Sequence, residues 1–219
     1  KNEFVEILRI CESYVFRRTI CGIPTNSLNK IFAVIGGKIA ENNYVNSIKA
    51  FLIMLESYKM FPSDDMFEKD FITKDVYNMK NRNYILSKFE NYNNNNIVNV
   101  EYCTIEHIMP QNENLRPEWR KDLGDNWKEI QKKYLHTIGN LTLTTYNSSM
   151  SDRSFKEKLE MEGGFKESAL RINKFIVKQD VWNEDKIKER SNKMIALAKE
   201  IWRYPNLTEE ELTVFLPKK

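Results

Sequence analysis

The chain has 219 residues, enough for one large domain or two small ones. With 41 % hydrophobic and 12 % aromatic residues a packed core is feasible and general disorder is excluded. A net charge of only +3 permits a nucleic-acid partner without arguing for one. Three cysteines, Cys11, Cys21 and Cys103, with no CxxC pair exclude a disulfide framework or a four-cysteine zinc site, and they fit a reducing cytoplasm. No stretch approaches roughly eighteen apolar residues, so nothing reads as a membrane span. The opening KNEFVEILRICESYVFRR is amphipathic and partly acidic, unlike a signal peptide, and the missing initiator Met reads as a piece of something longer. Neither GxGxxG nor GxxxxGK[ST] occurs, so a glycine-rich phosphate loop is excluded.

Residues 3–18 set Phe4, Leu8, Cys11, Tyr14 and Val15 at helical spacing. Adjacent Arg17 and Arg18 must then face different ways, one toward a carboxylate and one toward solvent. After Gly22 and Pro24, Thr25 or Asn26 caps a second helix over 27–42, with Leu28, Ile31, Phe32, Ile35 and Ile39 buried. Gly36-Gly37 weakens it by about 1 kcal/mol per glycine against alanine. A third helix fits 45–58, Pro62-Ser63-Asp64-Asp65 reads as a stop and a new N-cap, and a short helix covers 82–92. The asparagine run at 93–96 is a turn or linker and the best internal boundary. Beyond it, β-branched and aromatic residues predict a strand over 97–105. A long loop with a helical turn follows at 109–126, then a helix at 126–135, a short strand at 139–146, a helix at 151–160 and a long helix at 183–203. Trp119, Trp127, Trp182 and Trp202 read as packing residues, and Cys103 as buried.

The chain has two histidines, His107 and His136. His107 lies in Thr104-Ile105-Glu106-His107-Ile108-Met109-Pro110. About thirty residues later comes Gly139-Asn140-Leu141-Thr142-Leu143, and Asn147 follows. An acidic residue before His, an Asn ahead of a short strand, and a last Asn near a helix start form the HNH arrangement. Phosphodiester hydrolysis needs an activated water, which a neutral imidazole supplies near neutral pH. It also needs the developing charge neutralised, for which one divalent ion suffices. Glu106 and Asn147 offer the oxygen ligands that Mg²⁺ (or Mn²⁺) prefers. The third position is fixed only to within a few residues, with Ser149 and Asp152 as alternatives. Neighbours on a strand point to opposite sides, so Glu106 and His107 serve one site only if the strand ends or twists there. Asn140 is expected to brace the loop carrying His107. His136 is a candidate for DNA contact, against closing the turn before Gly139; Arg153, Lys156 and Lys158 are candidates for phosphate contact, against a solvated face interleaved with Asp152, Glu157 and Glu160.

The segments TIEHIMPQ, LHTIGNLTLT and YNSSMSDRSFKEK resemble the C-terminal HNH-type domain of GmrSD-like, modification-dependent restriction endonucleases. SYVFRRTICGIPTNSLNKIFA is similar to the helical region before that motif, and WNEDKIKERSNKMIALAKEIW to its final helix, so the resemblance covers nearly the whole chain. It implies His107 as catalytic base, Glu106 and Asn147 at the metal site, and Asn140 as the Asn of the GNL motif. It also implies DNA as substrate and an N-terminal ParB-related, NTPase-like domain in the same full-length protein. The expected fold is mainly α with a small embedded ββα-metal (HNH, His-Me finger) nuclease unit. The expected division is a helical region at 1–96, the nuclease unit at 97–168, and a C-terminal helical region at 169–219 packing on the rest. The rivals are a non-catalytic DNA-binding or assembly module with a degenerate site, and an RNA nuclease using the same chemistry.

Overall fold

A computed structural model describes residues 2–40, 43–145 and 147–215; the side chains of Lys38, Asn147 and Ser148 also lie outside the described residues. The protein is mainly helical, with one small two-stranded sheet among the described residues. It divides into two units, Lys1–Phe71 with Ala198–Lys219, and Ile72–Leu197. Among the described residues no helix is long and apolar enough to cross a membrane.

The first unit carries α1 (Asn2–Ile20), α2 (Leu28–Ile35), α3 (Tyr44–Ile53) and most of α4 (Asp64–Thr73). Its core gathers Ile10, Tyr14, Ile31, Ile48, Leu52 and Phe61. The helical spacing over 3–18 is met by α1, with Phe4 and Leu8 exposed and the buried face beginning at Ile10. Two expectations need correction. The second helix stops at Ile35 and tightens into a 3₁₀ turn at Gly36–Lys38, where two glycines cost helix propensity. The third helix ends at Ile53, short of an extended Glu56 and a positive φ of 56° at Ser57.

Arg18 is likewise not exposed: both Arg17 and Arg18 are buried. Arg17 donates to the Trp202 carbonyl and to Asp64, each at 2.6 Å. Arg18 donates to the carbonyls of Tyr58 (2.9 Å) and Pro24 (2.8 Å) and to Ser27 Oγ (3.0 Å). A guanidinium has five donors, and here its two terminal nitrogens are met by backbone carbonyls and a hydroxyl instead of by a carboxylate. Phe16 stacks on Trp202 with centroids 3.8 Å apart, so that tryptophan packs as expected.

The second unit carries α5 (Arg82–Asn91), β1 (Thr104–His107), α6 (Pro117–Leu123), α7 (Trp127–Tyr134), β2 (Leu141–Thr144), α8 (Asn147–Met150), α9 (Phe155–Glu160) and most of α10 (Glu184–Ile201). A short α11 (Glu209–Thr213) follows in the first unit. The strand expected over 97–105 begins only at Thr104. Its partner β2 offers four residues, and the chain before it makes a 3₁₀ turn at Val100–Tyr102 with Asn99 accepting from the Glu101 N–H. Ile97 and Tyr102 are exposed there, and Cys103 is half-buried rather than buried. The core of this unit contains Trp119, Phe155, Phe165, Ile176, Trp182 and Ile187. Pro117 sits in the first turn of α6, where its missing N–H costs nothing. Ser154 caps α9 in a reciprocal capping box with Glu157.

Helix α10 lies hard against the turn before β2. Arg190 is buried and its Nη1 donates to the carbonyls of Ile138 (2.9 Å), Gly139 (2.9 Å) and Leu141 (2.8 Å). Burial pushes its pKa down to about 9, leaving it charged near neutrality. A Cβ at Gly139 would stand 2.1 Å from Ser191 Oγ and 2.7 Å from the Ile187 carbonyl. The serine can rotate; the helix carbonyl cannot. Gly139→Ala is therefore expected to destabilise the protein by about 1–3 kcal/mol, measured as a lowered denaturation midpoint with unchanged slope.

Candidate active site

Strands β1 and β2 are antiparallel, with Glu106 opposite Thr142 and His107 opposite Leu141. The strand ends at His107, which is the condition for the two side chains to sit at one place. The chain beyond is held by Asn140, fully buried. The Met109 N–H donates to Asn140 Oδ1 (2.8 Å), and Asn140 Nδ2 donates to the carbonyls of Met109 and Leu135, both 3.0 Å. Trp182 Nε1 donates to the same Oδ1 at 3.3 Å, and the Ile108 N–H to the Asn140 carbonyl at 3.0 Å. Gln131, from α7, donates to the carbonyls of Pro110 (2.8 Å) and Asn112 (2.9 Å). The segment following His107 thus has its backbone polar groups met by side chains instead of by sheet. Asn140 braces backbone.

His107 is only 4 % exposed. Its Nε2 lies 3.1 Å from His136 Nδ1, so one hydrogen is shared between the two rings. Tyr77 packs on both: its ring is 4.5 Å from that of His107 and stacks on that of His136 at 5.2 Å and 11°. The Val76 N–H donates to the His136 carbonyl (2.9 Å), and the Arg82 guanidinium covers the Tyr77 ring at 5.3 Å. Burial, then His136 and Lys158, push the His107 pKa down to about 3, against a smaller pull from Asp75. The imidazole is therefore neutral at ordinary pH. His136, expected to face DNA, is half-buried against His107 and Tyr77. Tyr77 and Asp75 escape a sequence reading, because the loop holding them lies far from the motif and has no spacing tied to it.

Glu106 points to a different neighbour. It is 3 % exposed, and Oε1 accepts from Nζ of Lys158, whose side chain is 0 % exposed. The same Nζ donates to the His107 carbonyl at 2.8 Å. Burial pushes Glu106 up and Lys158 down in pKa, and the attraction between them opposes both shifts. Lys158, expected on a DNA-facing surface, instead turns inward from α9 because an acidic side chain and a strand-end carbonyl await it there. This arrangement does not fit a divalent ion at Glu106: the cation on its carboxylate is an ammonium. Among the described residues no three His, Cys, Asp or Glu side chains gather as a metal site.

The other positions are spread out. The Asn147 side chain lies outside the described residues, and its backbone opens α8. Asp152, its alternative, is held by Arg116 at 2.9 Å, and that contact lowers its pKa. Ser149 is exposed. Arg153 is exposed, its Nε donating to the Ser149 carbonyl at 2.8 Å, and Lys156 is exposed on α9. Glu157 and Glu160 pair with Arg116 and Lys166, so this face is interleaved with opposite charges.

A family model, GmrSD restriction endonucleases, C-terminal domain, matches residues 61–197. No curated protein matches the chain. The matched segment exceeds half of the chain and contains Tyr77, Glu106, His107, His136, Asn140, Asn147 and Lys158. The chain therefore belongs to the family of GmrSD restriction endonuclease C-terminal domains, and its role is a restriction-endonuclease-related one.

Proposed function

We propose that this chain is a DNA endonuclease domain that hydrolyses phosphodiesters in the restriction of modified or foreign DNA, with His107 as general base. The observation that carries the reading is a neutral, buried imidazole at a braced strand end, with a second imidazole 3.1 Å from its Nε2. If His107 donates through Nε2 to His136, its Nδ1 keeps the lone pair that takes a proton from water. His136 then fixes the tautomer and lies against the imidazolium as it forms. A bound phosphate brings negative charge beside His107 and raises its proton affinity from the free-protein value toward the working range of a base. The strands β1 and β2 with α8 and α9 form the ββα unit of this proposal. Glu106 and Asn147 would be the oxygen ligands of a Mg²⁺ or Mn²⁺ ion that neutralises developing phosphate charge, and the Lys158 ammonium now on Glu106 stands against that role. Arg153 and Lys156 are the exposed cations available for phosphate contact, and recognition of DNA is assigned to a ParB-related domain of the full-length protein.

The Lys158–Glu106 pair favours a second reading, a DNA-binding module whose site no longer cuts. Supercoiled plasmid incubated with the protein, divalent ion and excess competitor RNA separates the readings. Conversion to nicked or linear DNA that RNA does not suppress is expected. DNA bound and left intact would support the module, and cleavage suppressed by RNA would support an RNA nuclease.

A further inference from the structure

We propose that Tyr77 is a positioning residue for the histidine pair: its flat ring holds the His136 imidazole in the plane that keeps Nδ1 on His107 Nε2. The inference rests on the proposed function in one respect, that His107 is the base. Geometry carries the rest. The outer torsion of a histidine side chain is broad, so the backbone of His136 does not by itself fix the ring plane. A base and its partner must be held within about 10–20° of the working geometry. The loop before α5 supplies that hold at both ends of His136. Its Val76 and Tyr77 N–H groups donate to the His136 carbonyl at 2.9 and 3.4 Å. The Tyr77 ring lies on the His136 ring, with centroids 5.2 Å and planes 11° apart, and meets the His107 ring at 4.5 Å and 62°. One side chain thus packs on both imidazoles, in the stacked and edge-on arrangements that aromatic rings prefer. Turning His136 out of plane would break the stack together with the 3.1 Å contact between the two imidazoles. The loop is itself fastened. Asp75 accepts from the Asn78 N–H (3.0 Å) and from Asn78 Nδ2 (2.8 Å), and Val76 is fully buried. Arg82 donates to the Tyr77 carbonyl at 2.9 Å and covers the Tyr77 ring. The contact with the histidines is one of ring faces, so the Tyr77 hydroxyl has no part in it.

Tyr77→Phe and Tyr77→Leu, made in the whole chain, test this. Phenylalanine keeps the flat face, and leucine keeps only apolar bulk. The first readout is the magnetic-resonance signal of the ring hydrogen shared by His107 and His136, recorded without DNA. It is expected in wild type and Tyr77→Phe and expected to be lost in folded Tyr77→Leu. The second is single-turnover nicking of plasmid DNA. Tyr77→Leu is expected to slow it by about 10–100-fold with DNA affinity unchanged, while Tyr77→Phe stays within about twofold of wild type. A shared-hydrogen signal that persists in Tyr77→Leu would overturn the proposal. So would loss of that signal with nicking at the wild-type rate, or a Tyr77→Phe protein as impaired as Tyr77→Leu. A measurement on wild type covers the case in which Tyr77→Leu does not fold: through-space transfer from the Tyr77 ring protons to both imidazoles is expected, and its absence would overturn the proposal. A wild type that never nicks DNA counts against the nuclease reading alone, because the shared-hydrogen signal still decides what Tyr77 holds in place.

Discussion

Asn140→Ala is expected to lower stability by about 3–5 kcal/mol, a loss large enough to leave little folded protein at moderate temperature. The side chain makes four contacts in a space closed to water: it accepts from Met109 N and Trp182 Nε1 and donates to the carbonyls of Met109 and Leu135. Alanine removes both sides of that exchange and strands the backbone groups of Met109. Each buried group left unmet costs about 1–3 kcal/mol, whereas a single surface substitution rarely moves stability by more than about 0.5 kcal/mol. Asn140→Asp does no better, because its second oxygen would face two carbonyls where the amide donated. Thermal or urea unfolding checks this, and an unfolding midpoint equal to wild type would show that the loop after His107 is held by other means. The consequence for the site is direct: without the brace, the strand end carrying His107 keeps its backbone bond from Ile108 N–H to the residue-140 carbonyl but loses the side-chain bonds that fix Met109.

Much of the helical framework was legible, because apolar residues recur at helical spacing in α3, α5, α7 and α10 and punctuation falls where helices stop. The strand at 97–105 was misjudged in length because β-branched residues report local preference, while strand extent depends on a partner, and β2 is only four residues long. Arg18 and Lys158 were placed outside for a related reason. Charge biases a residue toward solvent, yet backbone carbonyls in the first unit and Glu106 in the second supply buried acceptors that no local pattern reveals. At the site, the pairing of Glu106 with His107 and the distant Asn140 could be read from the motif. The meeting of His136 and Tyr77 with His107 could not, since it depends on how the 74–81 loop folds onto the turn before Ile138.

Replacing His107 with alanine is expected to reduce the rate of DNA cleavage by about 10²–10⁴-fold, the range general-base catalysis contributes. The effect should fall on the chemical step, because the ring is 4 % exposed and offers little surface for DNA affinity. Neutrality is what makes the ring a base, and its protected setting among His136, Tyr77 and Lys158 is what keeps it neutral in the free protein. Alanine removes the hydrogen bond between His107 and His136 but leaves the Tyr77 stack and the Val76–His136 backbone bond in place, so the loop should remain folded.

The measurement closest to the central claim is single-turnover nicking of supercoiled plasmid by wild type and His107→Ala, at a temperature where circular dichroism shows both folded and at protein concentrations that saturate DNA binding. A fall of about 10²–10⁴-fold in the nicking rate with DNA affinity unchanged is the predicted result. Nicking by His107→Ala at the wild-type rate would contradict the account, because the base would then be some other group.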